Sequence, residues 1–194
     1  MRKLLFLLLL LPSLAFAQKD TIRINAGIYI VLYSQTLEQP LVVDYMVLCP
    51  DGDASRKGMD FYKNDSVHTS DNDDYKSNVW DKGHMAPAAD FNCTREMLKQ
   101  TFSYLNCALQ HQDLNRRHWR LLEAYERDLA SDGDVKISIL VHFDNAELLP
   151  SGATVPSGFT KKIYFNGDLL ECYYFPNEKP TKDSYKDYKL ETCN

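Results

Sequence analysis

A histidine suited to proton transfer lies in the segment Trp80–Phe91, which reads Trp-Asp-Lys-Gly-His-Met-Ala-Pro-Ala-Ala-Asp-Phe. Gly83 and Pro87 disfavour a helix there, so His84 is expected at the end of a strand, where backbone contacts can fix its ring. A neutral imidazole that titrates near neutrality is well suited to take a proton from water. A lone histidine is more often a structural or surface residue, so only its neighbours make His84 a candidate general base.

Two oxygen-bearing side chains lie on the helix that follows, predicted over Asn115–Ala130 and ended by Ser131-Asp132-Gly133. Asn115 and Glu123 are eight positions apart, about 80° around an ideal helix, so both can face one site from neighbouring turns. An amide oxygen can bind a metal ion. Taken alone, however, Asn115 is an N-cap and Glu123 is an exposed helix acid that pairs with Arg127 at i+4.

The elements that must position these side chains are mostly strands. Ile22–Leu48, dense in Ile, Val, Tyr and Leu, predicts two strands, and residues 50–78 have the polar composition of a long surface loop. A helix is predicted over Thr94–Ser103. Further strands are predicted at Val135–Phe143, Lys161–Phe165 and Leu169–Phe175, with the turn Asn166-Gly167 joining the last two into a hairpin.

The N-terminus has the pattern of an export signal. Arg2 and Lys3 precede an apolar run from Leu4 to Leu11, and Ala-Phe-Ala follows at residues 15–17. The run is too short to span a bilayer as a permanent helix. We therefore expect residues 1–17 to be a cleaved signal peptide and residues 18–194 to form a single domain with no membrane anchor, secreted or periplasmic.

The charge balance is acidic, with 22 Lys and Arg against 27 Asp and Glu. Without Arg2 and Lys3 the balance is 20 against 27, a net charge of −7. This argues against a nucleic-acid scaffold protein, since non-specific affinity for phosphate rests on Lys and Arg. It does not exclude an enzyme that must release its product. Positive charge is also concentrated locally, at Arg116, Arg117, His118 and Arg120.

All five cysteines follow the predicted signal peptide, where an oxidising compartment favours disulfides. The odd number leaves at least one thiol unpaired. Cys93 and Cys107 flank the predicted helix Thr94–Ser103, which would hold them too far apart to be bonded to each other. Cys172 with Cys193 is the favoured pair, although connectivity cannot be deduced from a sequence.

Together these segments resemble the DNA/RNA non-specific endonuclease family, which belongs to the ββα-metal superfamily. The matching positions keep the family's order and spacing over about forty residues, a coincidence less probable by chance than any single element. They are Asp81-Lys82-Gly83-His84, Ala86-Pro87, Thr101-Phe102, Asn106, Gln110, Asn115, Trp119 and Glu123.

The resemblance implies an α+β fold, with a ββα-metal nuclease core and a mostly antiparallel central sheet flanked by helices. It implies that His84 is the general base, that Asn115 binds magnesium, with manganese as an alternative ion, and that Glu123 orders the water ligands of the metal. An upstream arginine of the family, which contacts the scissile phosphate, is best matched by Arg56. The candidates for substrate binding are Lys82, Arg116 and Arg120.

The resemblance also implies a function: metal-dependent hydrolysis of DNA and RNA without sequence preference. Lys82 stands where most members have Arg, which keeps the charge but loses the bidentate fork. Two alternatives stay open: a catalytically silent module that binds nucleic acid or a protein, and a nuclease restricted to small or single-stranded substrates. The sequence does not distinguish DNA from RNA as the target, and it predicts no inhibitor protein.

Overall fold

A computed structural model describes residues 20–193, and the predicted signal peptide lies outside them. Six strands form one antiparallel sheet in the order β1-β2-β3-β6-β9-β10, while β4 pairs with β5 and β7 with β8. Within the described residues the strands are β1 Thr21–Asn25, β2 Tyr29–Ser34, β3 Gln39–Met46, β4 Trp80–His84, β5 Cys107–His111, β6 Val135–His142, β7 Glu147–Leu148, β8 Thr154–Val155, β9 Gly158–Phe165 and β10 Asp168–Pro176.

The N-terminal apolar stretch forms three strands, so the prediction of two strands in Ile22–Leu48 was wrong. The chain reverses at Gly27, which has a φ of +89°, and again before β3 at Glu38, which has a φ of +55°. The Asn25 side chain accepts a hydrogen bond from the Gly27 N–H at 3.0 Å and closes the first reversal. Both turns are too short to appear as loops in the composition.

The predicted hairpin near the C-terminus is confirmed, with β9 and β10 longer than expected. Asn166 and Gly167 both have positive φ, +50° and +93°, and Phe165 lies opposite Asp168. Two consecutive left-handed residues are the pattern of the type I′ turn, whose twist matches that of the strands.

The helical segments are short. The first helix, α1, spans Arg95–Thr101, with the Thr94 hydroxyl accepting a hydrogen bond from the Met97 N–H at 3.1 Å. The predicted helix Asn115–Ala130 is divided into a π-helix, Leu114–Trp119, and an α-helix, α2, Arg120–Ala130. Short 3-10 helices lie at Asn72–Tyr75, Ala88–Phe91, Tyr104–Asn106 and Tyr185–Tyr188. Across residues 20–193, no helix is long and apolar enough to cross a membrane.

One face of the large sheet packs against the π-helix and α2. Along β6, buried residues alternate with more exposed ones, as expected for a sheet with one covered face. The core between sheet and helix is formed by Val31, Val43, Tyr45, Ile137, Ile139, Phe159, Ile163, Leu114, Trp119 and Leu122.

Two disulfides cross-link the chain. Cys172 is bonded to Cys193, as favoured from the sequence, and Cys49 is bonded to Cys93. Cys93 and Cys107 are not bonded to each other, as expected, and Cys107 is a buried free thiol.

A buried ion pair lies in the core beneath α2. Lys161 Nζ lies 2.9 Å from Glu126 Oε1, and both side chains are fully buried. The Tyr45 hydroxyl donates to Glu126 Oε2 at 3.2 Å, and the ammonium lies 4.2 Å from the centroid of the Trp119 ring. Because both charges are removed from water, the attraction between them must offset the free-energy cost of their desolvation.

Removing one partner of this pair should be strongly destabilising. Lys161→Met leaves Glu126 without its cation and is expected to lower the free energy of unfolding by about 3–5 kcal/mol. The double variant Lys161→Met/Glu126→Leu should recover most of that loss. Urea unfolding of the wild type, the single variant and the double variant measures the three free energies. The matched control is Lys76→Met, which breaks an exposed pair with Asp73 and should cost no more than about 1 kcal/mol. A Lys161→Met variant as stable as this control would contradict the prediction.

Candidate active site

The β4-β5 pair and the π-helix that follows bring the predicted site residues together. In this pair His84 lies opposite Cys107 at one end and Trp80 lies opposite His111 at the other. Every predicted site residue except Lys82 lines one cleft of about 560 Å³. Its lining residues are Arg56, His84, Pro87, Ala88, Ala89, Asn115, Arg116, Arg120, Glu123 and Arg127.

One buried amide side chain fixes the backbone after His84, and another lies close against the backbone before it. Asn106 accepts from the Ala86 N–H at 2.8 Å and donates to the Ala86 carbonyl at 2.8 Å, so the chain leaves β4 along one path. Gly83 is needed because a Cβ there would lie 2.5 Å from Gln110 Oε1 on the neighbouring strand. These contacts explain why the motif places glycine before the histidine.

The His84 ring is half-buried between two aromatic side chains. Its centroid lies 4.8 Å from that of Phe61 and 5.0 Å from that of Phe102. Nε2 is buried and has no hydrogen-bond partner within the described residues. Burial, together with the positive charge of Arg56, lowers the pKa of His84 to about 4. The imidazole is therefore neutral at pH 7 and can accept a proton.

A carboxylate on β4 organises the start of the π-helix. Asp81 Oδ2 accepts from Asn115 Nδ2 at 3.0 Å. The same carboxylate accepts two hydrogen bonds from the Arg116 guanidinium, at 2.8 and 2.6 Å. Asp113 precedes the helix and Asn115 lies inside it, so the interpretation of Asn115 as a simple N-cap was wrong. The Asp81 carboxylate therefore orients the asparagine side chain.

Asn115 fits a hard divalent cation that keeps most of its own water. With Nδ2 directed at Asp81, Oδ1 is the oxygen left to act as a ligand. In the part of the chain that the structure describes, no group of three or more His, Cys, Asp or Glu could hold a metal ion. Magnesium binds oxygen donors and commonly retains several waters, so one amide oxygen and the substrate's phosphate oxygens are a sufficient set.

Glu123 faces the cleft from α2 and is half-buried. Burial raises its pKa to about 7, the positive charge of Lys161 opposes this shift, and the nearby Glu126 adds to it. The expected pairing with Arg127 is absent: Arg127 donates to the fully buried Asp90 at 3.0 Å instead. Arg127 was missed as a residue of the cleft, although its i+4 spacing from Glu123 places it on the same helix face.

Lys82 is placed beside the cleft, outside its lining. Its ammonium donates to Asn72 Oδ1 and lies 3.4 Å from Asp60 Oδ1. It also lies 5.3 Å from the centroids of the Phe61 and Tyr104 rings. The ammonium of Lys82 is thus held in place by polar and aromatic side chains. Phe61 contacts both Lys82 and His84.

The remaining predicted cations sit at the rim of the cleft. Arg56 is exposed on the loop between β3 and β4. Arg120 is exposed at the start of α2, where its Nε donates to the Arg116 carbonyl at 3.1 Å. Arg116 is committed to Asp81 in this geometry, so its charge reaches the cleft as part of an ion pair.

The profile of the DNA/RNA non-specific endonuclease family matches residues 13–194. The chain belongs to this family. Among curated relatives, mitochondrial endonuclease G of Bos taurus is 38% identical over 81 residues, covering 40% of this chain and 27% of that protein. A nuclease of Nostoc is 42% identical over 131 residues, covering 60% of this chain and 47% of that protein.

The fold is also that of a solved family member. A crystal structure of the EndoG/EndoGI complex, described as showing the mechanism of EndoG inhibition, matches with a TM-score of 0.75 at 23% identity. The match covers 87% of this chain and 79% of that chain. The predicted α+β fold with a mostly antiparallel sheet is thus confirmed. The matched stretches span less than half of the length of both curated relatives named above.

The lowered pKa of His84 predicts a pH effect on stability. Its folded pKa of about 4 lies below the ordinary 6.5, so unfolding takes up a proton between these two values. The wild-type protein should therefore lose stability as pH falls through that window, and His84→Gln should lose less. The Tm of both proteins at pH 8 and pH 5 isolates the effect, because all other titrating groups are shared. An unchanged Tm difference between the two pH values would contradict the prediction.

Proposed function

We propose that this protein is an endonuclease that hydrolyses phosphodiester bonds of DNA and RNA without sequence preference and requires magnesium or manganese. The observation that carries the proposal is one cleft that unites a neutral histidine, an oriented amide oxygen and unpaired arginine side chains. The residues are His84, Asn115, Arg56 and Arg120. Family membership and the names of the relatives support the same activity.

His84 is the general base in this proposal. The imidazole takes a proton from the attacking water through Nδ1, since Nε2 is buried, and Phe61 and Phe102 pack against the ring. A pKa of about 4 keeps the imidazole neutral, and therefore competent as a base, across the physiological range. A positioned base contributes about two to four orders of magnitude in rate.

Asn115 is the protein ligand of the metal, and Asp81 keeps its amide oxygen directed to the cleft. A bound magnesium ion supplies Lewis-acid stabilisation of the negative charge that develops on the phosphate and the leaving oxygen. Glu123 lies in the same cleft and accepts hydrogen bonds from water there when it is ionised. Arg56 contributes a guanidinium to the phosphate, which carries more negative charge in the transition state than in the ground state.

The lack of sequence preference follows from the chemistry of the lining. Arginine side chains and an amide oxygen recognise phosphates and their counterions, groups that every nucleotide shares. Export follows from the predicted signal peptide and gives a secreted or periplasmic enzyme. The alternative is a catalytically silent binding module, and the net charge of −5 favours a module that binds a protein, because an acidic chain binds nucleic acid weakly.

Nucleic-acid hydrolysis tests the proposal directly. The purified protein should degrade plasmid DNA and structured RNA with magnesium or manganese and stop when a chelator is added. His84→Ala should reduce the rate at least about 100-fold, since a positioned base is lost. His68→Ala, at an exposed surface position, is the matched control. Intact substrate after long incubation of folded wild-type protein with metal would support the silent module and overturn the nuclease.

Magnesium titration tests the roles of Asn115 and Asp81 together. Asn115→Ala should raise the magnesium concentration needed for half-maximal rate and lower the rate itself. Asp81→Ala should weaken metal binding by about 10–100-fold, as loss of a partner that orients a ligand does. Asp81→Asn retains an oxygen acceptor and should lie between. Asp132→Ala, on the exposed segment after α2, is the control. If both variants match wild type over the whole titration, the metal is bound elsewhere.

A further inference from the structure

The turn that carries Arg56 is docked on the segment that begins α1. Cys49 and Cys93 are covalently bonded across the two segments. Next along the chain, the Asn92 side chain donates to the Gly52 carbonyl at 2.6 Å, and the Ala54 N–H donates to the Asn92 carbonyl at 2.8 Å. These links hold the loop up to position 54. They do not fix the position of the turn that follows directly, at residues 55–58, which depends on other contacts.

Arg95 supplies those contacts. Its Nη1 donates to the Ser55 carbonyl at 2.9 Å and its Nη2 to the Lys57 carbonyl at 3.2 Å, so one guanidinium bonds the backbone on both sides of Arg56. Inside the turn, the Lys57 N–H donates to Ser55 Oγ and the Met59 N–H donates to the Arg56 carbonyl. The internal bonds fix the shape of the turn, whereas Arg95 fixes its position relative to α1.

We infer that Arg95 is a positioning residue, which holds the Arg56 turn so that the Arg56 guanidinium faces the cleft opposite His84. The inference rests on the proposed function, because it assigns Arg95 to the same reaction through Arg56. The two arginines differ in what they do. Arg56 lines the cleft, while Arg95 lies outside that lining and donates hydrogen bonds to backbone carbonyls of the turn.

The charge of Arg56 is already felt at His84, where it contributes to the lowered pKa of the imidazole. A guanidinium that reaches the site from an exposed turn acts only while the turn keeps its position relative to the cleft. Without Arg95, the turn keeps its internal hydrogen bonds but loses the fork that ties it to α1. A displacement of about 1 Å at a reacting group can cost as much as about 100-fold in rate.

Kinetics with a double-mutant cycle test the inference. Arg95→Ala should lower kcat about 10-fold with little change in KM, since misplacement of about 1 Å affects the transition state more than binding. Arg56→Ala should lower kcat further, and the double variant should be no slower than Arg56→Ala alone, because Arg95 acts through Arg56. Arg95→Lys keeps the charge but not the planar fork and should lie between wild type and Arg95→Ala. Lys99→Ala, an exposed cation on the same helix, is the matched control.

Limited trypsin digestion gives a readout that needs no activity. Arg56 and Lys57 are both trypsin sites, and cleavage there requires the turn to open. Arg95→Ala should speed cleavage after these two residues, identified by mass, while Lys99→Ala should not. The inference is overturned if trypsin cleaves Arg95→Ala at both sites at the wild-type rate, or if Arg95→Ala leaves kcat unchanged. It is also overturned if the effects of Arg56→Ala and Arg95→Ala on kcat multiply in the double variant. If wild-type protein cleaves neither DNA nor RNA, the proposed function fails by itself, and the digestion still decides whether Arg95 holds the turn.

Discussion

The geometry of the cleft depends on the carboxylate of Asp81. It lies on β4 and receives three hydrogen bonds from the first residues of the π-helix, one from Asn115 and two from Arg116. Charge-assisted bonds of this kind are stronger and more directional than neutral ones. They join the strand that ends in His84 to the helix that carries Glu123. The relative positions of His84 and Asn115 are therefore fixed largely by this ionic contact between β4 and the π-helix.

Charged side chains lie at two depths near the contact between Asp81 and Arg116, at the rim of the cleft and in the core beneath it. Cationic side chains occupy the rim of the cleft, although the whole chain carries a net charge of −5. Beneath the rim, Asp90 and Glu126 are fully buried and each is matched by one cation, Arg127 and Lys161. Burial raises the pKa of both carboxyl groups, and the paired cations oppose that shift. The helix α2, which carries Glu126 and Arg127, is consequently held to the core by these two ion pairs as well as by apolar packing.

Sequence patterns predicted which residues line the cleft better than they predicted the secondary structure that carries those residues. Order and spacing placed His84, Asn115 and Glu123 in one cleft, because the family motif keeps those positions together. The π-helical turn escaped prediction since one extra residue per turn leaves no compositional trace. The buried Lys161 did leave a signal: it shares strand parity with Phe159 and Ile163, which both face the core. The bond between Cys49 and Cys93 joins positions 44 residues apart, and nothing in a single sequence encodes that proximity.

The buried thiol of Cys107 has a consequence for how the chain matures. It lies on β5, its pKa is raised to about 12 by burial, and the Tyr75 hydroxyl is 3.2 Å from its sulfur. Thiol–disulfide exchange requires a thiolate with access to its target, so the folded protein withdraws this sulfur from the reaction. Before β5 pairs with β4, five thiols compete for two bonds; afterwards, four remain. Burial of Cys107 thus lowers the number of disulfide pairings that the remaining thiols can form.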